Sequence, residues 1–208
     1  EKKSVTDHWN FVRLLAKEQR EDFAKKSHEC RLVITIERNG KALSDLISSA
    51  KVELKNSLPG WSLPAGVHFG SGKAEGKTAL LFPGQGAQYT NMLSDLACRF
   101  PEFLDCLQGS EDVSPLINRA IYPFQTFDGD KQKEQVAFLA KTNNAQPALA
   151  AVSAGSLEIL RRFGLNYDVT AGHSFGELTA LYAAGAFDSE YLYKLAAERG
   201  RLMASDGK

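Results

Sequence analysis

Charge of a single sign is missing from this 208-residue chain, in which 25 Lys and Arg stand against 25 Asp and Glu. The resulting net charge of zero excludes the basic footprint of a nucleic-acid-binding domain and the cationic face of a membrane-surface protein. Long apolar runs are missing too. No segment has the length of a membrane-spanning helix, and the charged opening Glu1-Lys2-Lys3 is no signal peptide. Cysteine is sparse: Cys30, Cys98 and Cys106 are odd in number, scattered and without metal-ligand spacing. That argues against a metal site and fits reduced thiols in a cytoplasmic protein.

Nucleotide-binding fingerprints are also lacking. Gly76-Lys77-Thr78 has the ending of a P-loop, but Ser71 stands where its first glycine belongs, and the tripeptide precedes a strand instead of opening a helix. Gly84-Gln85-Gly86-Ala87-Gln88-Tyr89 begins as a dinucleotide loop and then places Tyr89 where the third glycine is required.

What the chain does hold falls into two parts. In the first, Val5, Trp9, Val12 and Leu15 share a helical face, predicting a helix from Ser4 to about Lys26. Arg31–Glu37 reads as a strand closed by Asn39-Gly40, Leu43–Leu54 as a helix and Val67–Phe69 as a short strand. Pro59-Gly60 and Pro64-Ala65-Gly66 punctuate this α+β unit, and Gly70–Gly76 reads as its exit linker. The second part opens with a buried-type strand, Thr78–Phe82, followed by a helix around Asn91–Phe100. Residues 109–133 read as surface loops with short helical pieces. Gln146-Pro147 then reads as the start of a helix, with Leu149, Val152, Ser156, Leu160 and Phe163 on its buried face and Gly164 as its stop. Strand, helices, strand, helix is the order of an α/β core with a parallel sheet, whose site lies at the strand C-terminal ends.

The chemistry concentrates in Gly172-His173-Ser174-Phe175-Gly176-Glu177, a G-x-S-x-G pattern. Val169–Ala171 before it is strand-like, and Glu177–Ala184 after it is helix-like. In that setting a tight turn lifts the serine hydroxyl off the strand end, and the helix N-terminus aims N–H groups at an oxyanion beside it. The alternative for such a pattern alone is a glycine-rich turn with a solvated serine. An oxyanion hole takes two N–H donors. Phe175 supplies one, and Gln85, flanked by glycines that permit close approach, supplies the other. His173 neighbours Ser174 but points elsewhere on a sharp turn, so it reads as structural rather than as the base. His8, His28 and His68 belong to the first unit.

Phe82–Gln88 together with Gly172–Glu177 resembles the malonyl-CoA:acyl-carrier-protein acyltransferase family. Ala197-Glu198-Arg199-Gly200 with Met203 resembles that family's third block, and Arg199 follows Ser174 by 25 residues, an interval that suits the family's spacing. Asn144–Leu149 is a fourth, weaker match. The resemblance runs from about Thr78 to Met203, and residues 1–76 resemble the linker between ketosynthase and acyltransferase in polyketide and polyunsaturated fatty-acid synthases.

The resemblance implies a partial α/β-hydrolase-like acyltransferase core over residues 77–208 and a linker-like unit over residues 1–76. Ser174 would be acylated, Gln85 and Phe175 would hold the oxyanion, and Arg199 would pair with the malonyl carboxylate. Phe175, where methylmalonyl-selective members often carry Gln, points to malonyl. No permanent cofactor or metal is implied. Malonyl-CoA is the donor, a carrier-protein phosphopantetheine thiol the acceptor, and the ketosynthase an adjacent domain. The family's catalytic histidine lies well downstream of the arginine, so the expectation is a fragment without its base. Opening on Glu1 and stopping after Tyr191–Met203 point the same way. Two further readings stay open: a serine hydrolase or thioesterase, and an inert docking fragment.

Overall fold

The computed structural model describes residues 5–25, 29–56, 58–72 and 76–205. The chain divides into two compact units, Glu1–Glu75 and Gly76–Lys208.

The first unit contains α1 (Val5–Lys25), β1 (Cys30–Ile34), α2 (Leu43–Leu54), β2 (Gly60–Leu63) and β3 (Val67–Ser71). The strands form an antiparallel sheet in the order β1-β3-β2. Its register places Leu32, Phe69 and Trp61 in one row and Ile34, Val67 and Leu63 in the next, all on one face. That face packs on Leu46 and Ala50 of α2, four residues apart and therefore on one side of the helix. The Trp61 and Phe69 rings stack at 5.6 Å. Two expectations change here. Gly60 opens β2 instead of punctuating a loop, and Gly70 and Ser71 continue β3 instead of starting a linker. β2 is only four residues long and lies between two prolines, which hides it from a pattern search. Gly66, at φ 81°, makes the tight turn between β2 and β3, its N–H donating to Leu63 O at 3.0 Å. Ser4, Lys26, His28 and residues 73–75 of the expected linker lie outside the described residues.

The second unit is α/β with a parallel sheet. β4 (Ala79–Phe82) is followed by five helices: α3 (Ser94–Ala97), α4 (Pro101–Val113), α5 (Ile117–Ile121), α6 (Gly129–Ala140) and α7 (Thr142–Arg162). The chain then returns as β5 (Val169–Gly172), α8 (Gly176–Ala183) and α9 (Ser189–Ser205). β4 and β5 pair in parallel, with Phe82 opposite Gly172, so both strands release their loops at the same end.

α7 is the central element. Ala145, Ala148, Ala150, Ala151 and Ala154 are fully buried, and such small side chains let α4 and α9 approach it closely. On the α4 side, a Cβ at Gly155 would meet the Phe103 ring at 2.7 Å. No helix of the described residues is long and apolar enough to cross a membrane.

The helices depart from the sequence reading at three points. The segment around Asn91–Phe100 is helical only over Ser94–Ala97, because Asn91 and Leu93 adopt left-handed backbone. Residues 109–133 carry more helix than expected. Pro101 starts α4 at its first turn, where its missing N–H is no loss, and Asp128 caps α6 by accepting from the N–H groups of Asp130 and Lys131. α7 begins at Thr142, so Pro147 lies inside it. The proline lies just past the first turn, where its missing N–H forgoes one bond to the Asn143 carbonyl, and the residues on either side are anchored by burial. The α7 face also differs: Leu149 and Val152 are buried, Ser156 is half-buried, and Leu160 and Phe163 are exposed. Gly164, at φ 74°, ends the helix as expected.

Candidate active site

Gly172–Glu177 forms a sharp turn between β5 and α8. Ser174 takes φ 55°, left-handed backbone that a non-glycine residue adopts only under constraint. The constraint is close packing of backbone on backbone. A Cβ at Gly172 would overlap the carbonyl group of Gly176, and a Cβ at Gly176 would overlap the Phe82 carbonyl. Both glycines are therefore required by space alone. Turn bonds complete the geometry: Gly176 N–H donates to His173 O at 2.9 Å and Glu177 N–H to Ser174 O at 3.1 Å. The Thr170 hydroxyl, reaching Ala180 O at 2.9 Å, ties β5 to α8. The outcome is an exposed Ser174 side chain on a turn whose next residue, Phe175, is fully buried.

The glycine loop after β4 lies against this turn. His173 N–H donates to Phe82 O at 3.1 Å, and a Cβ at Gly84 would meet His173 O at 2.5 Å and its Nδ1 at 2.8 Å. His173 thus acts as packing surface between the two loops. Among the described residues, neither the Gln85 nor the Phe175 backbone N–H donates a hydrogen bond within the protein. Two unspent donors therefore sit on adjoining loops at the same end of the sheet. Gly86, at φ 110°, gives its N–H to Gln88 Oε1 at 2.7 Å, which closes the loop on itself.

α9 brings the cation. A Cβ at Gly200 would meet Thr142 O at 2.9 Å and Asn143 Cα at 3.1 Å, so glycine lets α9 rest on the first turn of α7. At that crossing Arg199 is half-buried, and its Nη2 donates to Ser174 Oγ at 3.4 Å. The structure thus brings Ser174 and Arg199 together and sets the loops of Phe175 and Gln85 side by side. No described histidine hydrogen-bonds the serine; His68 Nδ1 instead contacts Ser62 Oγ at 3.0 Å. No group of three or more His, Cys, Asp or Glu with metal-binding geometry occurs among the described residues.

Thr142 and Gln146, which sequence reasoning did not single out as site residues, also join this neighbourhood. Gln85 Nε2 donates to Thr142 Oγ1 at 3.1 Å, and Gln146 Nε2 donates to Gln85 Oε1 at 3.3 Å. A signal for Gln146 exists in the sequence: it is the last amide before the Ala- and Leu-rich run Pro147–Val152, and a buried polar residue is the informative exception.

Comparison with known proteins identifies the family of the second unit. The acyl transferase domain family matches residues 79–206. One subunit of the polyunsaturated fatty acid synthase of a Thraustochytrium species is 37% identical over 156 residues, covering 69% of this chain and 6% of that protein. A malonyl CoA-acyl carrier protein transacylase of Staphylococcus aureus is 37% identical over 129 residues, covering 62% of this chain and 38% of that protein. The crystal structure of the acyltransferase domain from the second module of the salinomycin polyketide synthase superposes with a TM-score of 0.65 at 27% identity. That match covers 87% of this chain and 39% of the other, so it extends beyond residues 79–206. The chain spans well under half the length of each of these relatives. With its serine turn, glycine loop and α9 all inside the matched region, the chain belongs to the acyl transferase domain family.

Proposed function

We propose that this chain carries the nucleophile, the oxyanion loop and the carboxylate-binding arginine of an acyltransferase. The reaction moves a malonyl group from CoA to the phosphopantetheine thiol of an acyl carrier protein. The observation that carries the reading is Arg199 Nη2 at 3.4 Å from Ser174 Oγ, a guanidinium beside an exposed serine on a strained turn. A guanidinium offers paired donors that match a carboxylate, so an acyl group bearing a free carboxylate is the fitting substrate. The name of the Staphylococcus aureus malonyl CoA-acyl carrier protein transacylase supports malonyl as that group and a carrier protein as acceptor.

In the first half-reaction Ser174 Oγ loses its proton to a base and attacks the thioester carbonyl. The negative charge gathers on the carbonyl oxygen between the N–H groups of Gln85 and Phe175. Collapse breaks the C–S bond, and CoA leaves as a thiol after taking the proton. In the second half-reaction the phosphopantetheine thiol attacks the Ser174 ester, and the serine recovers its proton. The reading takes that base to be the family's catalytic histidine, which the resemblance puts downstream of the arginine. The same reading assigns residues 1–76 as a ketosynthase–acyltransferase linker and places the protein in the cytoplasm. Support for the linker is the salinomycin-synthase match, which reaches beyond the catalytic family region.

Intact-mass measurement of the full-length protein after incubation with malonyl-CoA tests the proposal. A malonyl adduct should appear, vanish in Ser174→Ala and pass to added holo carrier protein. An adduct that persists in Ser174→Ala would sink the assignment. CoA release without carrier acylation would favour a thioesterase.

A further inference from the structure

Beyond Gly84, which is buried against His173, the Gly84–Gln88 loop is exposed over residues 85–87 and has few hydrogen bonds to hold it. Glycines flank Gln85 on both sides, Gly86 at positive φ, and the loop's other hydrogen bonds, Gly86 N–H to Gln88 Oε1 and Ala87 N–H to Gly84 O, are internal. Among the described residues, its hydrogen-bonded connection to the helical layer is the Gln85 side-chain amide alone. That amide is gripped from both ends by one helix. Thr142 Oγ1 accepts from its Nε2 at 3.1 Å, and Gln146 Nε2 donates to its Oε1 at 3.3 Å. Thr142 and Gln146 are four residues apart on α7 and so present a single face.

Gln146 is an unusual residue to find there. It is fully buried, its Nε2 also lies 3.4 Å from Met203 Sδ, and its Oε1 has no partner. An amide buried with an unsatisfied oxygen is costly, and an apolar residue of the same volume would avoid that cost. Its geometry gives it a use. It spans from the oxyanion loop to Met203, one turn along α9 from Arg199 and on the same side of that helix.

We propose that Gln146 is a positioning residue that, with Thr142, clamps the Gln85 amide and thereby aims the Gln85 backbone N–H at the reacting carbonyl oxygen. The clamp rests on the acyltransferase reading above, and its test separates the two. In the full-length protein, Gln146→Met removes the donor at nearly constant volume, and Thr142→Val removes the acceptor from the other half. Two readouts apply to each variant. One is backbone hydrogen exchange of residues 84–88; the other is the single-turnover rate of acylation by malonyl-CoA.

Both variants should raise exchange in the loop. They should slow acylation at saturating malonyl-CoA by roughly tenfold or more, while half-saturation moves by less than about twofold. In a Gln85→Ala background, which keeps the backbone N–H but leaves nothing to clamp, each substitution should change the rate by less than about twofold. Unchanged loop exchange in both variants overturns the clamp whether or not Ser174 is acylated. Losses that multiply with that of Gln85→Ala overturn it as well, because they would mark a general structural role. Raised loop exchange in a protein whose Ser174 takes no acyl group would support the clamp and refute the acyltransferase reading instead.

Discussion

The guanidinium of Arg199 donates from Nη2 to the hydroxyl oxygen of Ser174 at 3.4 Å, across 25 residues of sequence. The contact depends on Gly200, the next residue, which lets α9 settle on α7. An arginine so placed brings a cation directly to the nucleophile, and that makes its role measurable. Arg199→Ala should lower kcat/KM for malonyl-CoA by about 10- to 100-fold, the scale of a lost charge-assisted hydrogen bond. Acetyl-CoA, which offers no carboxylate, should lose less than about threefold. Arg199→Lys should recover only part of the malonyl activity, since an ammonium cannot pair bidentately. Equal losses for both acyl groups would remove Arg199 from carboxylate binding.

Strain at Ser174 gives a second expectation. At φ 55° the left-handed backbone is unfavourable for any side chain with a Cβ and not for glycine. Ser174→Gly and Ser174→Ala should both abolish acylation, yet Ser174→Gly should be the more stable of the two by about 1 kcal/mol. Urea unfolding of the pair measures this. A more stable alanine variant would mean that the turn relaxes and stores no strain.

The glycines of the turn separate a demand for space from a demand for flexibility. At Gly172 and Gly176 a Cβ would overlap backbone carbonyl groups, which cannot rotate away as a side chain can. Either alanine substitution should cost about 3 kcal/mol or more and displace the turn. Gly129, the first residue of α6, has open space around its Cβ position and no positive φ. Gly129→Ala should be neutral or stabilising by up to about 1 kcal/mol. Melting curves of the three variants are the check, and similar losses in all three would refute the steric argument.

Much of this site was legible because its demands are local. A serine between two glycines, after a strand-like run and before a helix-like one, encodes a sharp turn in consecutive residues, and the structure places one there. The strands at Ala79–Phe82 and Val169–Gly172 follow from short apolar or β-type runs. Helix limits were less legible where proline carried two meanings: Pro101 begins a helix, whereas Pro147 lies inside one that tertiary packing starts at Thr142. The grip of Thr142 and Gln146 on Gln85 was not legible at all. It arises only when a loop 57 to 61 residues away folds against α7, and no periodicity records that meeting.

The cysteines provide a prediction independent of catalysis. Cys30 and Cys98 are exposed, while Cys106 is buried in the core shared by α4, α7 and α9. Burial pushes the Cys106 thiol above its ordinary value, since the charged thiolate loses its hydration, and the nearby Tyr193 hydroxyl offsets this only in part. The thiolate is the reactive form, so two effects act together: little of it forms, and reagents do not reach it. At about pH 8, iodoacetamide should label Cys30 and Cys98 within minutes and leave Cys106 unmodified until denaturant is added. The linkage has a definite sign. A thiol whose folded value is raised contributes stability that is fully present below its unfolded value, near about pH 8.5, and is lost as pH rises through the folded one. Cys106→Ala should therefore flatten the fall in stability on the alkaline side of about pH 8.5. Equal labelling of all three cysteines in the native protein would contradict the packing of α4 against α7 and α9.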